Sequence, residues 1–106
     1  MKLLPVTFEE LPVTKTFKLL DKEYEFRFRH NSRYDFITLE LWYNNSMIHS
    51  SKLVYGSDFL KSANTEIPFA LIPLIEDDLY KEGFSDIVVN KDTFGKTVFI
   101  YFEDGL

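Results

Sequence analysis

The stretch from Asp21 to Asn45, DKEYEFRFRHNSRYDFITLELWYNN, constrains the fold more than any other part of the chain. Tyr24, Phe26, Phe28 and His30 fall on one parity, and Glu23, Glu25, Arg27 and Arg29 on the other. Such a period of two predicts a strand with one face buried and one in water or against a charged partner. After the turn chemistry of Asn31-Ser32-Arg33, the alternation resumes over Tyr34 to Tyr43, with Ile37, Leu39, Leu41 and Tyr43 sharing a face. Phe36 and Trp42 stand on the opposite face, so it is partly covered, as expected of a central strand. Asn44-Asn45-Ser46 closes the stretch as a turn, because Asn tolerates positive φ and bonds nearby backbone.

The flanks read as elements that pair with or pack on this ribbon. Residues 1–12 hold two prolines, which suit an extended arm rather than a central strand, so the domain organisation is an arm over 1–12 and a single β domain over 13–106. The amino terminus acquires Pro5 and two Glu before any adequate apolar region develops, and it is read as structural rather than as a signal peptide. Val13 to Leu20 predicts a strand, joined to the next through a two-residue turn at Asp21-Lys22 or through a slightly longer loop. Met47 to Tyr55 is serine-rich between apolar ends, the pattern of an edge or bulged strand, and Gly56 permits a tight bend. Ser57 to Lys61 is the best short helical turn.

Pro68 to Ile75 predicts a strand interrupted or ended near Pro73, followed by an acidic loop or short helix that Gly83 would end. Phe84 to Asn90 and Thr97 to Glu103 predict a carboxy-terminal hairpin around Lys91 to Lys96, its last strand apolar on both faces and interior. The fold class is therefore mainly β: a single small barrel or sandwich of seven to eight short antiparallel strands with one short helical turn.

Composition removes several functions. The 106 residues include no cysteine, which excludes disulfides, cysteine nucleophiles and thiolate zinc sites. A net charge of −5 is the wrong sign for a general phosphate-binding surface, so nucleic acid is a poor partner. No apolar run reaches the length of a membrane span, and the longest candidate, Ile67 to Ile75, is broken by Pro68 and Pro73.

Chemistry-bearing residues are few. His30 continues an apolar strand face, where a ring hydrogen-bonded at the strand end is the ordinary role, and His49 lies near Ser50 and Ser51 without the third group a triad needs. Glu76, Asp77, Asp78 and Glu82 lack the spacing and the Gly of a calcium loop and read as solvated. Gly95-Lys96-Thr97 echoes the end of a phosphate loop without the helix that motif opens. The expectation is no catalytic, cofactor-binding or metal-ligating residue. The aromatic content, 11 Phe, 6 Tyr and 1 Trp, leaves one alternative: a β-barrel module that binds a ligand or stacks single-stranded nucleic acid on residues such as Phe26, Phe28, Phe36 or Trp42.

From Thr16 to Glu103 the chain resembles the baseplate plug family of contractile-tailed bacteriophages and prophages. The resemblance is carried by FKLLDKEYEFRFRHNSRYDFITLELWYNN, by SKLVYGSDFL, similar to the family's Leu-Val-x-Gly-x-Asp followed by an apolar pair, and by the final strand KTVFIYFED. Lys22 and Asn45 stand where the family's turns more often carry Gly. The resemblance implies a non-catalytic structural protein of the virion tail baseplate, made in the bacterial cytoplasm during assembly. It implies contacts with hub, spike or other tail proteins, allows a homo-oligomer, and involves no cofactor and no membrane. Its candidate contact residues are Arg27, Arg29, Arg33, Tyr55 and Asp58, together with the arm.

Overall fold

The computed structural model describes residues 1–61, 63, 67–79 and 86–104. The alternating ribbon forms the middle of a four-stranded antiparallel sheet. Strand β2 (Val13–Leu19) pairs with β3 (Lys22–Asn31), β3 with β4 (Phe36–Tyr43), and β4 with β5 (Ser46–Lys52). Phe26, Phe28, Ile37, Leu39 and Leu41 are fully buried, as the parity argument requires.

A second antiparallel sheet runs in the order β1 (Lys2–Leu4), β7 (Val98–Asp104), β6 (Phe69–Ile75). Its inward Leu4, Phe69, Leu71, Val98, Ile100 and Phe102 pack against the first sheet. The Tyr24 and Phe69 rings meet edge-on across the interface, with centroids 5.3 Å apart. The sheets do not close on each other, so the architecture is sandwich-like rather than a barrel. β7 is the central strand of its sheet: Val98, Ile100 and Phe102 are buried on the inner face, and on the other face Tyr101 is buried while Phe99 and Glu103 are half-buried.

The β2–β3 and β4–β5 hairpin turns are built without glycine. Leu20 and Asp21 carry φ of 51° and 66°, and Asn44 and Asn45 carry 51° and 64°, the signature of two-residue hairpin loops whose twist matches the strands. The first loop therefore lies one residue earlier than expected, on Leu20-Asp21, with Leu19 opposite Lys22. Asp tolerates the left-handed conformation better than Lys, and the register this turn imposes sets Phe17 opposite Tyr24 and edge-on to Phe26. β5 is an edge strand, and the extra residue Ile48 makes the expected bulge between the pairs Leu41–His49 and Trp42–Met47.

Three other expectations are corrected. β6 continues through Pro73 to Ile75. Leu71, Pro73 and Ile75 turn their backbone groups away from β7, so the donor that proline lacks belongs to the outer edge and no bond to β7 is lost. The carboxy-terminal hairpin does not form: Asp86 to Val89 is not strand, and both edges of β7 are taken by β1 and β6. Phe84 and Gly83, to which a strand start and a helix end were assigned, lie outside the described residues. Ser57 to Lys61 makes a turn, closed by the Lys61 N–H to the Asp58 carbonyl, whereas 3-10 turns form at Phe8–Glu10 and Glu76–Asp78.

The first twelve residues cross from one sheet to the other. Lys2–Leu4 zips onto β7, Leu4 and Val6 are buried, and Lys15 on edge strand β2 holds the following segment. Its ammonium donates to the Pro5 carbonyl (3.0 Å) and meets Glu10 Oε2 (2.6 Å). The same contact holds the Glu10 carboxyl below its ordinary pKa.

Candidate interaction faces

The outer face of the four-stranded sheet is where the charged parity of the ribbon points. Register places Glu25 opposite Trp42, Arg27 opposite Glu40 and Arg29 opposite Thr38, with Lys52 completing the last row on β5. Arg27 is already engaged: its Nε donates to Glu25 Oε2 at 2.6 Å and its guanidinium lies 4.1 Å from the centre of the Trp42 ring. Trp42 in turn donates from Nε1 to Glu40 Oε1 at 3.0 Å. Glu25, Arg27 and Trp42 border a shallow concavity of about 510 Å³ that extends to the turn residues Asp21, Lys22, Asn44 and Asn45.

Arg29 and Arg33 differ from Arg27. Both are exposed, and neither makes an ion pair within 4 Å among the described residues. Arg33 lies in the β3–β4 loop with its guanidinium 5.3 Å from the Tyr34 ring centre. The loop is shaped by Asn31 Oδ1, which accepts from the Arg33 and Tyr34 N–H groups, and by Asp35 at a φ of 51°. Asp35 Oδ1 bonds His30 Nε2 at 2.8 Å and accepts the Lys91 N–H at 3.0 Å, which holds its carboxyl below the ordinary range. His30 is thus the hydrogen-bonded strand-end ring expected of it, with Phe8 4.8 Å away.

Tyr55 and Asp58 are on a different part of the molecule, along the outer edge of β6. The Gly56 and Phe59 N–H groups donate to the Pro73 and Leu71 carbonyls at 2.8 and 2.7 Å. Asp58 Oδ1 accepts from Leu71 N (2.9 Å) and from Leu60 N (3.0 Å). The Tyr55 hydroxyl accepts the Ile75 N–H at 3.0 Å and donates to the fully buried Asp78. Residues Tyr55 to Phe59 therefore act as a clasp that satisfies an edge otherwise open to strand addition. Gly56, at a φ of 71°, supplies the bend that a side chain would strain.

This arrangement gives the clasp a pH signature. Burial, and then the hydrogen bond to Asp78, push the Tyr55 phenol up from 10.0 to about 12. The folded state favours the protonated phenol, so its contribution is complete below pH 10 and is lost as pH rises through about 12. Stability is expected to fall over that window, and Tyr55→Phe should flatten the fall; chemical denaturation at stepped alkaline pH checks it. An unchanged slope in Tyr55→Phe would refute the assignment.

Parity put Arg27 and Arg29 on one strand face, Arg33 read as part of the following turn, and the role of Tyr55 and Asp58 at the β6 edge was missed. His49, turned inward opposite Leu41 by the bulge, stands edge-on to Phe59, and its buried Nε2 has no hydrogen-bond partner among the described residues. No group of three or more His, Asp or Glu side chains among the described residues is placed to hold a metal ion.

The two sheets, the clasped edge and the patterned outer face define a small all-β sandwich whose distinctive polar groups lie on its surfaces and edges. The family model described as cyanophage baseplate Pam3 plug gp18 matches residues 1–105, and the chain belongs to that family. It is a phage baseplate plug protein, as the resemblance implied. No curated protein sequence matches the chain.

Proposed function

We propose that this protein is a non-catalytic structural component of a phage or prophage tail baseplate, associated with the plug and hub and acting through protein–protein contacts. The observation that carries the reading is the family match over residues 1–105. It works in the virion tail baseplate, is made in the host bacterial cytoplasm during assembly, and contacts hub, spike or other tail proteins, with self-association as a further contact. The first twelve residues serve as the arm of a single β domain over 13–106.

Within this reading the contact residues are Arg27, Arg29, Arg33, Tyr55 and Asp58, in two groups. Arg27 and Arg29 offer charge on the outer sheet face and Arg33 in the β3–β4 loop, and Tyr55 and Asp58 shape the surface of the β6 edge. Edge and face contacts of this kind need no pocket and suit a protein held by neighbours on several sides.

The test is to co-express the epitope-tagged chain with the tail-tube, hub and spike proteins of its phage or prophage and to purify the assemblies. Retention through high-salt washing, with the tag at the tube's distal end by electron microscopy, is the expected result. Assemblies that form normally and exclude the chain would refute the reading.

A further inference from the structure

We propose that the groove at the loop end of β4 and β5 receives an extended acidic segment of a partner protein, with an aliphatic side chain in the groove and carboxylates on Arg29, Arg33 and Lys52. The proposal rests on the reading above and names the chemistry of one partner contact. The groove has a volume of about 230 Å³ and lies between 34–36, 52–55 and 87–89. Tyr34, Val54 and Val88 are 68%, 53% and 64% exposed, three large apolar side chains gathered at one place on the surface. Within 53–59 Val54 stands apart: Leu53 is buried, and Tyr55, Gly56, Asp58 and Phe59 bond the β6 edge, while the Val54 side chain faces solvent.

Charge decides what sits there. Arg29, Thr38 and Lys52 form one row across three strands, and Lys52 and Arg33 lie 5.3 Å from the ring centres of Phe36 and Tyr34. No ion pair engages these cations among the described residues, although the chain carries 17 acidic groups against 12 basic. The carboxylate in the groove lining, Asp35, turns Oδ1 to His30 and the Lys91 N–H and makes no ion pair with these cations. A carboxylate beside an aliphatic anchor matches both parts of the surface. A nucleic-acid strand matches it less well, because cations already lie over the Phe36 and Tyr34 rings that would stack bases.

The experiment is an amide NMR titration of the full chain with a blocked Asp-Leu-Glu-Leu-Glu peptide, the same peptide with Lys at the acidic positions, and oligothymidylate. The acidic peptide is expected to give saturable, salt-sensitive shifts centred on Thr38, Lys52 to Val54 and Val88. Arg29→Glu with Lys52→Glu should weaken it about 10-fold or more, because two attractive charges become repulsive ones. Val54→Asp should weaken it too, and Arg29→Gln with Lys52→Gln should show a smaller loss on an unaltered fold. Absence of saturable shifts, shifts centred on Arg27 and Trp42, indifference to charge reversal, or tighter binding of oligothymidylate would each overturn the proposal. Failure here with retention in assemblies removes this groove alone, whereas exclusion from assemblies removes the baseplate reading.

Discussion

Gly95→Ala is expected to destabilise the fold by about 3 kcal/mol or more, lowering the thermal midpoint by at least about 12 °C for a domain of this size. Gly95 has a φ of 74°, and its N–H donates to the Val98 carbonyl at 2.8 Å. The left-handed conformation alone costs an alanine about 1 kcal/mol. The larger part is steric: a Cβ would lie 2.5 Å from Thr7 Cα and 2.8 Å from Phe8 N and Val6 O. Those are backbone atoms, and they cannot rotate away as a flexible side chain would. Relief requires the segment around Thr7 to move, which pulls on buried Val6 and Leu4 and on the pairing of Lys2–Leu4 with β7.

The expected readout is specific to that mechanism. Along with the lower midpoint, amide exchange in Lys2–Leu4 and in the facing Ile100–Phe102 should accelerate more than exchange in β3 and β4. Gly95→Asn should recover only the smaller, conformational part of the loss, because Asn tolerates positive φ yet carries the same Cβ. A loss under about 1 kcal/mol would mean that the close approach to Thr7 is not tight in solution.

How far the sequence revealed this molecule follows from the range of the interactions involved. The ribbon was legible because strand alternation is local: the parity of Tyr24, Phe26 and Phe28 alone dictates which side is buried. The bulged, polar edge strand β5 was legible for the same reason. What failed depended on partners distant in sequence. Pro73 reads as a strand end until Gly56 and Asp58 are known to lie outside it, at which point the missing N–H faces an edge where it breaks no ladder. Ile87, Val88 and Val89 have strand-forming side chains, but β7 had no free edge to offer them, since residues from the opposite end of the chain occupy it. Gly95 reads as a turn glycine, and only the arrival of Thr7 against it gives it a second role. The candidate contact residues divide the same way. Arg27 and Arg29 were placed on the outer face by parity, whereas the inward bonds of Tyr55 and Asp58 required knowing where β6 lies.

Asp58→Ala is the second substitution with a large expected effect, about 2–4 kcal/mol, because one carboxylate oxygen serves two backbone donors in a partly buried site and each donor left without a partner costs about 1–3 kcal/mol. The damage should reach beyond Asp58 itself. Leu71 N–H lies on the outer edge of β6, and without the Asp58 acceptor the Phe59 N–H to Leu71 carbonyl bond loses its geometric brace. Asp58→Asn keeps an oxygen at the same place and should recover more than half of the loss. Equilibrium denaturation of the two variants, read beside their incorporation into tail assemblies, separates the two roles this residue has been given. If Asp58 acts through the clasp, Ala destabilises, Asn largely rescues, and incorporation follows the folded fraction. If it acts as a charged contact to a neighbour, Asn and Ala fail alike in assembly at little cost to stability. The geometry favours the first outcome, since Oδ1 already accepts both Leu60 and Leu71 and aims the carboxylate at its own chain.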